Sequence, residues 1–73
     1  MKVSKSKRAE IFFEQAHMEA MHAIKKFPQP NPNLAALMEE VGELAKAFLE
    51  GEESYRIYAE AKQVAAMACR IAI

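Results

Sequence analysis

The chain lacks the covalent and metal cross-links that many small proteins use for stability. Its single cysteine, Cys69, excludes an internal disulfide, and no Cys/His spacing typical of a structural zinc site occurs. A chain of 73 residues also buries only a small hydrophobic core of its own. Oligomerisation is the remaining way to enlarge that core, so we expect several copies to work together.

An excess of charge of one sign is also missing. Ten Lys and Arg residues balance ten Asp and Glu residues, which gives a formal net charge of zero. A nucleic-acid-binding surface needs an excess of basic residues to neutralise phosphates, so we expect no nucleic-acid partner. The basic residues that cluster are all at the N-terminus, where residues 1–8 are predicted to form a flexible basic tail.

Long apolar runs are absent from the sequence. No run approaches the roughly 20 residues needed to cross a bilayer, and no signal-peptide pattern follows the basic start. We therefore expect no membrane partner. The lone thiol is compatible with a reducing compartment, and the sequence predicts a cytoplasmic protein.

Proline and glycine are scarce, and their positions divide the chain into three helices. All three prolines fall within residues 28–32, which no helix interior tolerates. Gly51 marks a second break, and Asn33 and Ser54 are candidate caps for the helices that follow the two breaks. No stretch shows the alternation of a strand. The sequence therefore predicts a single all-α domain over residues 1–73, an antiparallel bundle of three helices per chain that oligomerisation completes.

Apolar residues recur at helical spacing and predict a core face for each helix. The first helix is apolar on two sides, which indicates burial on two sides, one of them by a second subunit. The main face of the first helix carries Ala9, Phe13, Ala16, His17, Ala20, Ile24 and Phe27, with Ile11, Met18 and His22 opposite; the second helix uses Leu34, Leu37, Met38, Val41, Leu44, Ala45 and Phe48; the third uses Ile57, Ala61, Val64, Met67, Ala68 and Ile71.

Three acids lie close together on the predicted second helix. Glu40 and Glu43 are three residues apart and share a face, and Glu39 is one turn from Glu43. Carboxylates this close repel one another unless a cation offsets their charge. Mg²⁺ prefers such oxygen ligands, whereas a solvated helix face with ion pairs to Lys46 explains the same spacing. The spacing alone leaves both interpretations open.

A fourth acid, Glu60, falls on the apolar stripe of the predicted third helix. Burying a carboxylate there is costly without a partner. Glu60 therefore either lies at the edge of the stripe with its carboxylate in water, or points into a polar centre between helices. Helix bundles build carboxylate metal sites in the second way. Gln63, one turn further on, offers a neutral oxygen ligand.

Residues 33–48 (NLAALMEEVGELAKAF) and 60–68 (EAKQVAAMA) together resemble the MazG-like family of all-α nucleoside triphosphate pyrophosphohydrolases. The family hallmark is an ExxE on one helix and an ExxD on the next. Glu40 and Glu43 match the ExxE, Glu60 matches the first acid of the second pair, and Gln63 stands where the family has Asp. The likeness covers residues 33–70, roughly half the chain.

The resemblance implies a housecleaning enzyme that hydrolyses (d)NTP to (d)NMP and pyrophosphate as a homodimer or homotetramer. Glu40, Glu43, Glu60 and Gln63 would hold Mg²⁺, for which Mn²⁺ can substitute. Glu39 would orient or deprotonate the attacking water.

The same resemblance suggests where the rest of the nucleotide would bind. Lys46 would reach a phosphate, and Phe13 and His17 would contact the base; a surface ion pair for Lys46 and a core position for His17 are the alternatives. The missing charge at Gln63 predicts weaker metal binding or lost activity. A non-catalytic helical oligomer for protein interaction or nucleotide sensing is the alternative function.

Overall fold

The fold is described by a computed structural model that covers residues 2–27 and 34–73. It contains three α-helices, α1 (Lys5–Lys26), α2 (Leu34–Leu49) and α3 (Ser54–Ala72), and these described residues include no strand. The prediction of three helices in an all-α chain is confirmed. None of the three helices combines the length and apolar character that crossing a membrane requires.

Helix α1 begins inside the basic N-terminal cluster. Ser4 is its N-cap, and the backbone N–H of Lys7 donates a hydrogen bond of 3.1 Å to the Ser4 hydroxyl. Serine at this position satisfies one of the backbone N–H groups that a helix start leaves without a partner. The stretch before the first helix is therefore shorter than the tail predicted over residues 1–8, because α1 already starts at Lys5.

Helix α2 ends in a left-handed turn at Gly51, whose φ is 68°. The Gly51 N–H donates to the Phe48 carbonyl at 3.2 Å, and the Glu52 N–H donates to the Ala47 carbonyl at 3.0 Å. These two bonds form a Schellman motif, in which glycine is the favoured residue because it has no Cβ. The helix end predicted at Gly51 is confirmed.

The cap predicted for the third helix is wrong by one residue. Ser54 is the first residue of α3, and the cap is Glu53, whose side chain makes no capping hydrogen bond. The Glu53 carbonyl instead accepts the N–H groups of Arg56 and Ile57. The predicted cap Asn33 and the proline segment lie outside the described residues.

We expect Gly51→Ala to lower the free energy of unfolding by about 1–2 kcal/mol, the cost of a Cβ in the left-handed region. Apart from Gly51 itself and its two chain neighbours, no described atom lies within 4 Å of the position that this Cβ would take, so the loss comes from backbone strain and not from a clash with another part of the chain. Chemical denaturation followed by circular dichroism measures it. Gly51→Asn is the control, because asparagine tolerates this conformation better. An equal loss in both variants would contradict the explanation.

Helix α3 lies between the other two helices. Within residues 2–27 and 34–73, the close approaches between helices join α3 to α1 and α3 to α2, and none joins α1 to α2. The four residues that link α2 to α3 make these two helices an antiparallel hairpin. The radius of gyration is 13.2 Å, against about 11 Å expected for a compact domain of this length. The single chain is thus an open arrangement of helices.

The buried side chains of the described residues are small. All four are alanines, Ala16, Ala20, Ala47 and Ala66, and no large side chain in residues 2–27 and 34–73 is fully buried. Alanines let helices approach closely, and contacts such as the 2.7 Å hydrogen bond from the Tyr58 hydroxyl to Gln15 join α1 to α3 around them. Large hydrophobic side chains on all three helices are exposed.

The predicted core faces are therefore only partly correct for a single chain. On α2, Leu37 and Leu44 are half-buried, but the other large residues of the predicted stripe are exposed. On α1, Ile24 is half-buried, whereas Phe13 and His17 are exposed. The reason is that α1 and α2 each have one neighbour, α3, which covers a narrow face of each.

Candidate metal centre

Three of the predicted metal ligands come together between α2 and α3. One carboxylate oxygen from each of Glu40, Glu43 and Glu60 lies within 4.8 Å of the other two. Glu40 and Glu43 occupy adjacent turns of α2, and the antiparallel hairpin brings Glu60 opposite them. Oxygen ligands at about 2.1 Å from Mg²⁺ are at most about 4.2 Å apart. A small side-chain rotation therefore brings all three within reach of one ion.

The charges of the three acids act on one another. The pKa of Glu40 is raised, first by its burial and then by the negative charges of Glu43, Glu60 and Glu39. Glu40 and Glu60 are half-buried, and Glu43 is exposed. A positive charge bound among these carboxylates, whether a proton or a metal cation, reduces their mutual repulsion.

Glu39, the predicted base, is exposed on α2 and is not among the three converging carboxylates. Its negative charge nevertheless contributes to the raised pKa of Glu40. Glu39 therefore lies at the border of the cluster, where a carboxylate can contact water. This position is compatible with a general base that does not itself bind the metal.

A polar depression adjoins the acids on the side of the α2–α3 turn. It is lined by Glu43, Lys46, Ala47, Glu52, Arg56 and Glu60. Lys46, the predicted phosphate contact, thus shares this depression with two of the predicted metal ligands.

Arg56 is a residue that sequence reasoning missed. Its Nε lies 3.8 Å from a carboxylate oxygen of Glu52, and the side chains of Arg56 and Glu52 are 52% and 34% exposed. The signal was present in the spacing, because Arg56 precedes Glu60 by one helical turn and therefore shares its face of α3.

Gln63 makes its main contact with α1. Its amide nitrogen donates a hydrogen bond of 2.6 Å to one Glu19 oxygen. The Lys62 ammonium lies 3.8 Å from the other Glu19 oxygen. The amide nitrogen of Gln63 is thus occupied by α1, and its carbonyl oxygen is the atom that a metal would use.

Phe13 and His17, the predicted base contacts, line one apolar groove between α1 and α3. Its other lining residues are Ala16, Ala65, Ala68, Cys69 and Ala72. Phe13 is 65% exposed as a residue, and its ring meets the Phe12 ring edge to face at 5.3 Å between ring centroids. This groove belongs to a different helix pair from the acids, so the two sets of predicted contacts line different depressions.

Comparison of the chain with family models, curated proteins and solved structures finds no significant match. The function is therefore inferred from the acidic motif and from the geometry of its residues.

Proposed function

We propose that the chain is a Mg²⁺-dependent nucleoside triphosphate pyrophosphohydrolase of the MazG-like type, cytoplasmic and active as a homodimer or homotetramer. It converts (d)NTP to (d)NMP and pyrophosphate in a housecleaning role. The main support is the convergence of Glu40, Glu43 and Glu60, the three acids that match the motif, although they lie on two different helices. A solvated acidic face on α2 does not by itself bring an acid of α3 into the group.

The donor set fits a hard divalent cation. Three carboxylates with a common centre and a raised pKa at Glu40 form the oxygen-rich, electron-rich site that Mg²⁺ prefers. Bound there, Mg²⁺ would neutralise charge on phosphate oxygens and make a nearby water more acidic. Mn²⁺ has similar ligand preferences and is expected to replace it.

Glu39, Lys46 and Arg56 have different roles in the proposed hydrolysis. Water attacks the α-phosphorus while its proton passes to the Glu39 carboxylate, and the bond to the β-phosphate bridging oxygen breaks to release pyrophosphate. Lys46 and Arg56 flank two of the acids and offer positive charge to the departing phosphates. The planar fork of arginine suits two phosphate oxygens at once.

Phe13 and His17 are proposed to contact the nucleobase. They line an apolar groove of α1 and α3, and an aromatic ring with an exposed face is a suitable stacking partner for a base. Because this groove lies away from the acids within one chain, the base contacts of a given site are more readily supplied by a second copy.

The experiment that tests the proposal is incubation of the purified protein with a panel of nucleoside and deoxynucleoside triphosphates and Mg²⁺. We expect release of pyrophosphate and the monophosphate without orthophosphate. A Glu40→Gln preparation purified in parallel controls for contaminating phosphatases. No turnover of any nucleotide, together with no Mg²⁺ binding by calorimetry, would exclude the enzyme.

Gln63→Asp is expected to tighten Mg²⁺ binding by about tenfold, because it adds a fourth negative charge to the ligand set. Titration calorimetry measures the change. Gln63→Asn is the matched control. Its side chain has the same length as that of Asp, so both variants withdraw residue 63 from Glu19 equally. If the Gln63→Asp variant binds Mg²⁺ no more tightly than the Gln63→Asn variant, residue 63 lies outside the metal site.

A non-catalytic helical oligomer is the second candidate function. Its support is the neutral Gln63 in place of an acid and the large exposed apolar surface of the helices. In that case calorimetry with the nucleotide panel would show nucleotide binding for a sensor, or no binding for an interaction protein, and neither would release pyrophosphate.

A further inference from the structure

The contact between Glu19 and Gln63 joins α1 to one of the proposed metal ligands. Glu19 is half-buried, directly before the buried Ala20. One of its carboxylate oxygens accepts a hydrogen bond of 2.6 Å from the Gln63 amide nitrogen. Its other oxygen lies 3.8 Å from the Lys62 ammonium. Two neighbouring residues of α3 therefore hold this carboxylate of α1.

An ionised carboxylate only accepts hydrogen bonds, so Glu19 fixes which end of the Gln63 amide faces α1. The amide nitrogen turns towards Glu19, and the carbonyl oxygen is left for another partner. Without such an acceptor the amide can reverse and present its N–H groups, which do not bind a cation. Gln63 follows Glu60 by three residues, and side chains at this spacing are neighbours on a helix surface. The oriented amide is thus next to one of the three converging acids.

Glu19 also changes the electron density of the Gln63 amide. A hydrogen bond that an amide donates to an ionised group is stronger than one between neutral groups, and hydrogen-bonded groups polarise one another. Donation to a carboxylate moves electron density from the amide nitrogen towards the carbonyl oxygen, which becomes a better ligand for a cation. Gln63 is the neutral member of the proposed ligand set, so it gains most from this support.

We propose that Glu19 is a positioning residue of the metal centre and that it acts on the cation through Gln63. It orients the carbonyl oxygen of Gln63, and it supplies from α1 the negative charge that Gln63 lacks. The metal centre then depends on all three helices. This inference rests on the proposed function, because it assigns Gln63 to the metal. Residues that orient a ligand without touching the metal commonly change metal affinity by about 10- to 100-fold.

Glu19→Gln is expected to weaken Mg²⁺ binding by about tenfold. Glutamine has nearly the same shape, but it has no charge and its amide also donates, so the orientation of Gln63 is no longer fixed. Titration calorimetry measures the affinity. In the pyrophosphate assay, the half-saturating Mg²⁺ concentration should rise while the rate at saturating Mg²⁺ stays near that of the wild type. Glu14→Gln removes an exposed acid from the same helix; as the matched control, it should bind Mg²⁺ as the wild type does.

Lys62→Met separates positioning of Gln63 from simple docking of α1 on α3. It removes the 3.8 Å ion pair with Glu19 and leaves the hydrogen bond between Glu19 and Gln63 in place. Mg²⁺ binding should not weaken, because the variant removes a positive charge from the neighbourhood of the ligand. A loss as large as that in Glu19→Gln would show that Glu19 only holds the two helices together, and it would overturn the proposal.

The same Glu19→Gln change in a Gln63→Asp background tests whether Glu19 acts through Gln63. Aspartate carries its own charge and has no amide to donate to Glu19, so Glu19→Gln should then change Mg²⁺ affinity by less than about twofold. A tenfold loss in both backgrounds would show that Glu19 acts independently of residue 63. If Glu40→Gln abolishes Mg²⁺ binding but Glu19→Gln does not weaken it, the role of Glu19 is refuted and the metal centre stands. A wild type that binds no Mg²⁺ would refute the proposed function itself.

Discussion

Replacing Glu40 or Glu60 with glutamine is expected to reduce pyrophosphate release by about 100-fold or more, since each variant removes a charged ligand from the metal. Glutamine has nearly the same shape as glutamate, so the helical circular dichroism spectrum should not change. The free energy of unfolding should stay equal or rise, because the carboxylates repel one another in the absence of metal.

The combination of lost activity with unreduced stability separates a metal ligand from a structural residue. Glu50→Gln is the matched control, because Glu50 lies in the α2–α3 connection and outside the three converging carboxylates. It should keep wild-type activity. Near-wild-type activity of both Glu40→Gln and Glu60→Gln would refute the assignment of these acids to the metal, even if the chain hydrolyses nucleotides.

Mg²⁺ is expected to stabilise the folded chain at neutral pH. At lower pH, protonation of Glu40 is expected to provide part of the same stabilisation. At a concentration about 100 times its Kd, a ligand of the folded state contributes about 2.7 kcal/mol, which corresponds to a rise in Tm of about 10–20 °C for a domain this small. Because the pKa of Glu40 is raised, the folded state binds a proton there more tightly than the unfolded chain does. The contribution of Glu40 to stability therefore rises as the pH falls through the raised pKa.

Thermal melts with Mg²⁺ and with chelator, over a series of pH values, measure both effects. The gain from Mg²⁺ should shrink as the pH falls through the raised pKa of Glu40, because protons and metal compete for the same oxygens. The difference in Tm between wild type and Glu40→Gln isolates this acid from the other carboxylates. A metal effect of the same size in the wild type and in Glu40→Gln would place the ion elsewhere.

Much of the fold follows from local signals in the sequence. The position of Gly51 predicts the end of α2 because a left-handed turn favours a residue without a Cβ. Helical periodicity and the lack of strand alternation predict three helices, and the structure contains them. The start of α1 at Lys5 differs from the predicted basic tail because Ser4 caps the helix within the basic cluster.

The arrangement of the helices could not be predicted in the same way. Periodicity identifies an apolar face but not the neighbour that covers it. Periodicity predicts the whole stripe of α2 as core, yet Leu37 and Leu44 are half-buried while Phe48 is exposed. This division depends on α3 lying between the other helices, which is a property of the whole chain.

The candidate site shows the same limit. Short spacings on one helix predict neighbours well, so Glu40 and Glu43 share a face as expected. The approach of Glu60 to them was predicted from the cost of burying a carboxylate and from the family motif. Contacts between distant parts of the chain, such as Gln63 with Glu19, leave no pattern in the sequence.

The alanines at the helix contacts have a consequence for how the protein behaves in dilute solution. An alanine side chain exposes little apolar surface to water on unfolding. Because the buried side chains among the described residues are Ala16, Ala20, Ala47 and Ala66, their burial contributes little to the stability of a single chain. If the larger side chains are covered only on association, folding and assembly are a single reaction. Dilution then acts as a denaturant, and the protein is at its most stable where its own concentration is highest.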